Sequence, residues 1–305
     1  MENYDIIIIG AGPAGLTAGI YAGRQGTKTL ILDKGITGGA GLGVPSMENY
    51  PGYELIAGIS LIAKIRKQTE KNCQINEMEG VESIEKVNDG FKIKTPKNSY
   101  FGKSIIIATG TKHRLLEVPG EVEFKGRGVS YCATCDGLFF KDKNVLMIGG
   151  GNSAVQEAIF LNNIGCNVTI VHRRDELRAE KYLQNKLKEK KIPIIWNSTV
   201  KEIKGKQMLE SVVLSDDDGN IQEIEVQGIF IAIGDIPLSN IAKDLGVEVD
   251  EYDHILTDKT QRTNIKNIYA AGDVTGGVKQ WIVSCGEGAV AATYAYQDLE
   301  NIKKE

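Results

Sequence analysis

An α/β architecture of two three-layer domains, the second inserted into the first, is predicted by three observations. A strand, glycine-rich turn, helix and second strand open the chain at Asp5, and the same order recurs from Asn144. Each copy closes on a similar motif, Ile105-Ile-Ile-Ala-Thr-Gly110 and Ile229-Phe-Ile-Ala-Ile-Gly234. Short strand-rich segments, 81–94 and 199–226, lie between helix and closing motif in both copies. A repeat of this kind signals one supersecondary unit used twice. The length of 305 residues suits two domains. The reading gives residues 1–116 with 246–305 as the outer, discontinuous domain and 117–245 as the inserted one.

The first copy begins with the apolar run 5–10, a buried parallel strand ending in Gly10. A helix follows over 13–25, where Ala14, Gly15, Ala18, Gly19, Ala22 and Gly23 let it lie close to a sheet. Thr29 to Leu32 is the next strand, stopped by Asp33, and the Gly- and Pro-rich stretch Gly35–Tyr53 is a loop. Apolar Ile59, Ile62, Ala63 and Ile65 predict a helix over 58–72 with a charged outer face. Strands are expected at 80–87, 90–94 and 104–108. In the second copy they are expected at 144–148 and 167–171 around a helix at 153–164. The basic segment Arg173–Lys191 reads as a helix. Strands at 192–196, 199–204, 208–214, 221–226 and 228–233 follow, with Asp216–Asn220 as a hairpin turn. A helix over 282–300 ends the chain.

Composition narrows the function classes. A chain with 42% hydrophobic and 25% charged residues can bury real cores. Its net charge of -4 argues against nucleic acid or an anionic membrane as the main partner, since both call for a basic face. No apolar run reaches the roughly 18 residues of a membrane span. The start, Met1-Glu-Asn-Tyr-Asp5, lacks a basic n-region, so no signal peptide is expected. Five cysteines, an odd and sparse count, fit a cytoplasmic protein better than a disulfide framework.

Gly10-x-Gly12-x-x-Gly15, between strand and helix, is a dinucleotide fingerprint of the Rossmann type. The first glycine permits the turn, the second lets the backbone approach a pyrophosphate, and the third allows close helix–strand packing. Asp33 at the end of the second strand can accept from a ribose diol. Gly10, Gly12, Gly15 and Gly26 align with Gly149, Gly151, Ala154 and Gly165 of the second copy, and Asp33 aligns with His172. An acid at that position favours a 2′-hydroxyl. The cations His172, Arg173 and Arg174, with Arg178 beyond, favour a 2′-phosphate and predict NADP over NAD.

Cys132-Ala-Thr-Cys135 has the spacing of a reversible disulfide. Half a zinc site and a pair of inert thiols are the other readings. Zinc needs further ligands, and Cys73, Cys166, Cys285 and the three histidines are scattered, so no metal site is predicted. Asp136 is the acid nearest the pair. Its alternative role is a turn or helix cap. Gly272-Asp273, after a late strand, offers a carboxylate for a polyol hydroxyl, and the helix beginning near Trp281–Ser284 can direct its N-terminus at an anion. Cys73, Cys166 and Cys285 read as packed residues, and His113 and His254 as surface or linker histidines.

Across essentially the whole length these motifs resemble the low-molecular-weight thioredoxin reductases, class II pyridine nucleotide-disulfide oxidoreductases. The matching segments are Gly10-Ala-Gly-Pro-Ala-Gly15, Glu48-Asn-Tyr-Pro-Gly52, Ala108-Thr-Gly110, Cys132-Ala-Thr-Cys-Asp136, Gly149-Gly-Gly-Asn-Ser-Ala154, His172-Arg-Arg-Asp-Glu-Leu-Arg-Ala179 and Ala271-Gly-Asp-Val274. The resemblance implies FAD in the first domain, NADPH in the second and a homodimer. It implies Cys132 as the thiol that attacks thioredoxin, Cys135 as the thiol facing the flavin, and Asp136 as acid/base. It places Gly10, Gly12, Pro13, Ala14, Gly15, Asp33, Lys34, Gly39, Asn49 and Val81 at the flavin, with Thr109, Gly110, Gly272, Asp273, Lys279, Gln280 and Trp281. It places Gly151, Asn152, Ser153, His172, Arg173, Arg174, Arg178, Ile233 and Gly234 around the second nucleotide. Both the nicotinamide and the disulfide then belong to one domain and must reach one flavin. The family resolves this by domain rotation, for which 113–120 and 241–248 are suitable hinges. This chain departs from the family at Ala40, Asn152, Asp235 and Val278-Lys279, where Gln, Asp, His and Tyr-Arg are usual. Ferredoxin or a deazaflavin as donor, or another thioredoxin- or glutaredoxin-like acceptor, is the alternative. Relatives with such donors tend to lose the His-Arg-Arg segment, which is intact here.

Overall fold

The computed structural model describes residues 1–44, 47 and 49–302; Glu48 of the Glu48–Gly52 motif lies outside them. The chain forms two compact units, Met1–Lys112 with Ile236–Glu305, and His113–Asp235.

The first unit starts with β1 (Glu2–Ile9), α1 (Pro13–Arg24) and β2 (Thr29–Leu32). It continues with α2 (Gly58–Thr69), β3 (Gln74–Asn76), β4 (Ser83–Val87), β5 (Gly90–Lys94), β6 (Ser99–Ile107) and β7 (Thr111–His113), the last reaching the crossing into the second unit. β1 sits mid-sheet, parallel to β2 on one side and β6 on the other. Its isoleucine run is continuous because both faces are covered. Ile6 and Ile8 pack with α1 and α2, whereas Ile7 and Ile9 pack with Phe91 and Ile93 of the antiparallel β6-β5-β4 arm. Alternation across a strand thus splits one apolar run between two layers. Each fully buried isoleucine contributes about 1.5–3 kcal/mol.

The inserted unit repeats the plan. β8 (Val129–Ser130), α3 (Ala133–Asp136), β9 (Asn144–Ile148), α4 (Asn152–Asn163), β10 (Asn167–Val171), α5 (Lys181–Glu189) and β11 (Ile194–Ile195) are followed by a meander of β12 (Ser198–Gly205), β13 (Leu209–Asp216) and β14 (Ile221–Glu225). β15 (Gly228–Ile231) then completes a parallel sheet of order β11-β10-β9-β15-β8, and β16 (Asp235–Pro237) leads out. Val145 and Met147 face α4 and α5, while Leu146 and Ile148 face the meander. The first unit resumes with α6 (Asn240–Lys243), β17 (Ile268–Ala270), which pairs with β6, and α7 (Trp281–Ile302). α7 lies against α1: a Cβ at Gly288 would stand 2.1 Å from the Ala14 carbonyl oxygen. The α/β class and the three layers of each unit agree with the sequence reading.

Three local expectations are corrected. In α2 the buried positions are Leu61, Ile62 and Ile65, whereas Ile59 is 61% exposed and Ala63 is also exposed. The apolar stripe is rotated from the one expected. The helix expected over 173–191 forms only at Lys181–Glu189. The preceding segment is a loop because the Arg178 and Ala179 amides both donate to the Gly150 carbonyl. β6 begins at Ser99 rather than 104, since its first half pairs with both β1 and β5.

Candidate active site

Three clusters of chemistry-bearing residues emerge, one in the first unit and two in the second. The two glycine turns are built alike. The residues capping α1 and α4, Gly12 and Gly151, have nearly the same extended backbone, with φ/ψ of -77°/-174° and -92°/-179°. Gly10 and Gly149 take φ of +106° and +147°, where a side chain is strained. A Cβ at Gly10 would lie 2.3 Å from the Ala108 oxygen, and one at Gly149 would lie 2.4 Å from the Ala232 oxygen. Each fingerprint therefore rests on the backbone of its own closing motif, which is the physical reason the two motifs recur together. A Cβ at Gly12 or Gly151 meets nothing within 4 Å, so each turn presents open backbone at a helix N-terminus, a cradle suited to a pyrophosphate.

In the first unit this turn borders a cleft of about 510 Å³. The cleft brings together Gly10, Gly12, Pro13, Ala14, Asp33, Lys34, Gly39, Val81, Thr109, Gly110, Gly272 and Asp273 from five separate chain segments. Gly15 is not on its lining. It packs on Gly10, whose carbonyl oxygen a Cβ would meet at 1.9 Å. Asn49, Lys279, Gln280 and Trp281 are also off the lining. Asn49 Nδ2 donates to Gln280 Oε1 at 2.9 Å, and Trp281 covers Gly41. Asp33 accepts the Ala11 amide at 2.6 Å and the Gly35 amide at 2.7 Å, one on each oxygen. Each oxygen keeps a second lone pair for a diol. Sequence reasoning missed Ser284 and Glu287. Ser284 Oγ donates to Asp273 Oδ1 at 3.2 Å, and Glu287 Oε2 accepts the Gly272 amide at 2.7 Å. Their i, i+3 spacing on α7 is the signal that could have revealed them.

In the second unit the turn is held from behind. His172 is only 5% exposed, and a Cβ at Gly150 would strike its ring. Burial, followed by the neighbouring arginines, holds its proton affinity below the usual imidazole range. That lowering favours the neutral ring, which packs beneath Gly150 and supports the turn. Its Nε2 is buried without a protein partner. The cations are Arg173, Arg174 and Arg178, all exposed. Asn152 accepts the Glu180 amide at 2.8 Å and donates to its carboxylate at 2.9 Å, fixing the arginine loop to α4. Ser153 is exposed on the first turn of α4, and Ile233 and Gly234 follow β15.

Cys132 and Cys135 are joined as a disulfide, with Cα atoms 5.3 Å apart and both residues half-buried. Cys132 caps α3, and the helical turn brings its partner back over it. Ser130 Oγ accepts the Cys132 amide at 3.1 Å and donates to Asp136 Oδ2 at 2.6 Å. Asp136 Oδ1 is buried without a partner, and burial raises the carboxyl's proton affinity despite the Ser130 bond. The result is an acid able to hold a proton beside a sulfur pair. Leu138 and Phe139 stand 50% and 53% exposed just beyond, an apolar patch that sequence reasoning missed. Burial pushes the Cys73 thiol up to about 12 and the Cys166 thiol in the same direction, so both stay protonated and inert.

A family model described as pyridine nucleotide-disulphide oxidoreductase matches residues 4–288. The chain belongs to this family. The chain is 42% identical over 308 residues to a thioredoxin reductase of Listeria monocytogenes, covering 99% of this chain and 95% of that protein. It is 40% identical to a thioredoxin reductase of Treponema pallidum, covering 99% of each. The crystal structure of thioredoxin reductase from Streptococcus pyogenes matches with a TM-score of 0.90 at 42% identity, over 98% of this chain and 99% of that one. Membership in the pyridine nucleotide-disulphide oxidoreductases implies a flavin and a pyridine nucleotide. No helix of the described residues is long and apolar enough to cross a membrane.

Proposed function

We propose that this chain is a cytoplasmic, homodimeric thioredoxin reductase that carries electrons from NADPH through FAD to the Cys132–Cys135 disulfide and on to thioredoxin. The observation that carries the reading is the disulfide at the start of α3, with an acid tied to it through Ser130, in a unit that has its own nucleotide turn. The outer domain would hold FAD along Gly10–Gly15, Asp33 and the Gly272–Asp273 turn. The inserted domain would hold NADPH between the α4 N-terminus and Arg173, Arg174 and Arg178. The flavin, when bound, supplies a two-electron carrier between nicotinamide and disulfide.

The chain's own residues do the rest. Three guanidiniums on one loop suit a 2′-phosphate better than a hydroxyl. Cys132 attacks the acceptor's disulfide as a thiolate, and Cys135 then closes on Cys132 to release reduced acceptor. Asp136 holds the proton that a departing thiolate takes. Leu138 and Phe139 offer a protein acceptor an apolar surface beside the sulfurs.

Asp136→Asn tests the acid. An acid works only while protonated, so wild-type turnover falls as pH rises through the Asp136 pKa. The amide has no proton to give. Thioredoxin reduction by the Asn variant is expected to drop on the order of 10²-fold and to lose that alkaline limb. An unchanged profile would remove Asp136 from the mechanism.

A further inference from the structure

The reaction read above leaves unused a half-buried carboxyl on α4, that of Glu157. Its Oε2 accepts the Ala133 amide at 3.4 Å, one peptide bond from Cys132. The titratable groups that face it are His113, at the end of β7, and Asp235, at the start of β16. His113 Nδ1 and Asp235 Oδ1 are 2.7 Å apart, and the imidazole stacks on Tyr131 at 4.8 Å between ring centres. Asp136, the acid of α3, directs its carboxyl to Ser130 instead. Tyr131-Cys132-Ala133 is thus held at Tyr131 by the stacked His113, itself paired with Asp235, and at Ala133 by Glu157. All of these groups lie within the inserted unit. Burial, the largest influence, pushes the Glu157 carboxyl up to about 7; the Ala133 amide and His113 oppose that rise and Asp235 adds to it.

We propose that Glu157 is a positioning residue for the redox pair, anchoring the Cys132 turn through Ala133 and taking up a proton as the disulfide is reduced. The proposal rests on the disulfide-reductase reading only for its electron source, reduced pyridine nucleotide by way of the flavin. Two electrons break the S–S bond. One sulfur takes a proton and becomes a thiol, and the other remains a thiolate. That new negative charge raises the proton affinity of the nearby carboxylate, which binds a second proton from solvent. Conversely, a charged Glu157 raises the pKa of the thiols.

The test needs no cofactor. The full chain is reduced with dithiothreitol, freed of reductant, and its Cys132 alkylation by iodoacetamide is followed from pH 5 to 10 by mass spectrometry of the peptide. Glu157→Gln removes the charge, so the thiolate titration moves to lower pH. Alkylation near pH 8 is then expected to run about 3- to 10-fold faster than in the wild type. The plateau rate at high pH stays the same, whereas a merely loosened turn raises the plateau. Glu157→Asp keeps the wild-type profile. An unshifted Gln profile, a raised plateau, or an Asp variant that behaves like Gln overturns the proposal. Should the Gln variant not fold, infrared difference spectra of Asp136→Asn protein at pH 7, reduced minus oxidised, replace it. They gain a protonated-carboxyl band if Glu157 takes up the proton, and no band overturns the proposal. Failure of NADPH to reduce the flavin-loaded enzyme, with the alkylation shift intact, would instead count against the reductase reading alone.

Discussion

Cys135→Ser reduces thioredoxin at a rate on the order of 10³-fold or more below the wild type, the scale seen when a covalent nucleophile is removed. Serine cannot close a disulfide with Cys132, and its hydroxyl is no substitute for a thiolate near neutral pH. The loss is confined to one half of the reaction. The first-unit cleft and the arginine loop share no residue with α3. Reduction of bound flavin by NADPH therefore continues in the variant at close to its normal rate. Stopped-flow bleaching of the flavin and a thioredoxin-coupled assay read the two halves separately. Cys132→Ser shows the same split. A variant that still turns over thioredoxin would make the Cys132–Cys135 pair structural and return the protein to the class of flavin- or nucleotide-binding scaffolds.

Replacing Arg173, Arg174 and Arg178 together by Ala raises the KM for NADPH while leaving that for NADH within a few-fold. A hydrogen bond to a charged group is worth about 1.5–3 kcal/mol, and tenfold in affinity corresponds to about 1.4 kcal/mol. Each arginine that reaches the 2′-phosphate is thus expected to cost roughly 10- to 100-fold. The three side chains are exposed, so their removal takes no packing from the core. The loop's backbone is held independently by Arg178 and Ala179 amides on Gly150 and by Asn152 on Glu180. Steady-state KM values for both nucleotides decide the matter. Equal losses for NADPH and NADH would mean that the loop binds nucleotide without reading the phosphate. His172→Ala behaves differently, because a neutral ring under the turn supports Gly150 and supplies no charge.

Much of this was legible in the sequence because nucleotide turns are local. A strand, three small residues and a helix start fix their own geometry, and the second copy repeats the first, down to the backbone angles of Gly12 and Gly151. The Cys-x-x-Cys pair is equally local: one helical turn suffices to close it. What stayed hidden depends on distant segments meeting. Ser284 and Glu287 brace the Gly272–Asp273 turn from α7. Glu157 reaches α3 from α4. The burial that leaves His172 neutral comes from the fold around Gly150. The basic run 173–191 carries helix propensity throughout, but two amides captured by the Gly150 carbonyl hold its first part as a loop. A helical apolar stripe can be drawn through Ile59 in the sequence. The packing instead chose Leu61.

One anaerobic titration tests the central claim most directly. The purified, flavin-loaded protein is titrated with NADPH, in parallel with NADH, and oxidised thioredoxin is then added while the flavin absorbance is followed. The account predicts that NADPH bleaches the flavin at far lower concentration than NADH, and that thioredoxin restores the oxidised spectrum and emerges as a dithiol. A flavin that NADPH leaves oxidised, or one that it bleaches but thioredoxin cannot restore, would contradict it.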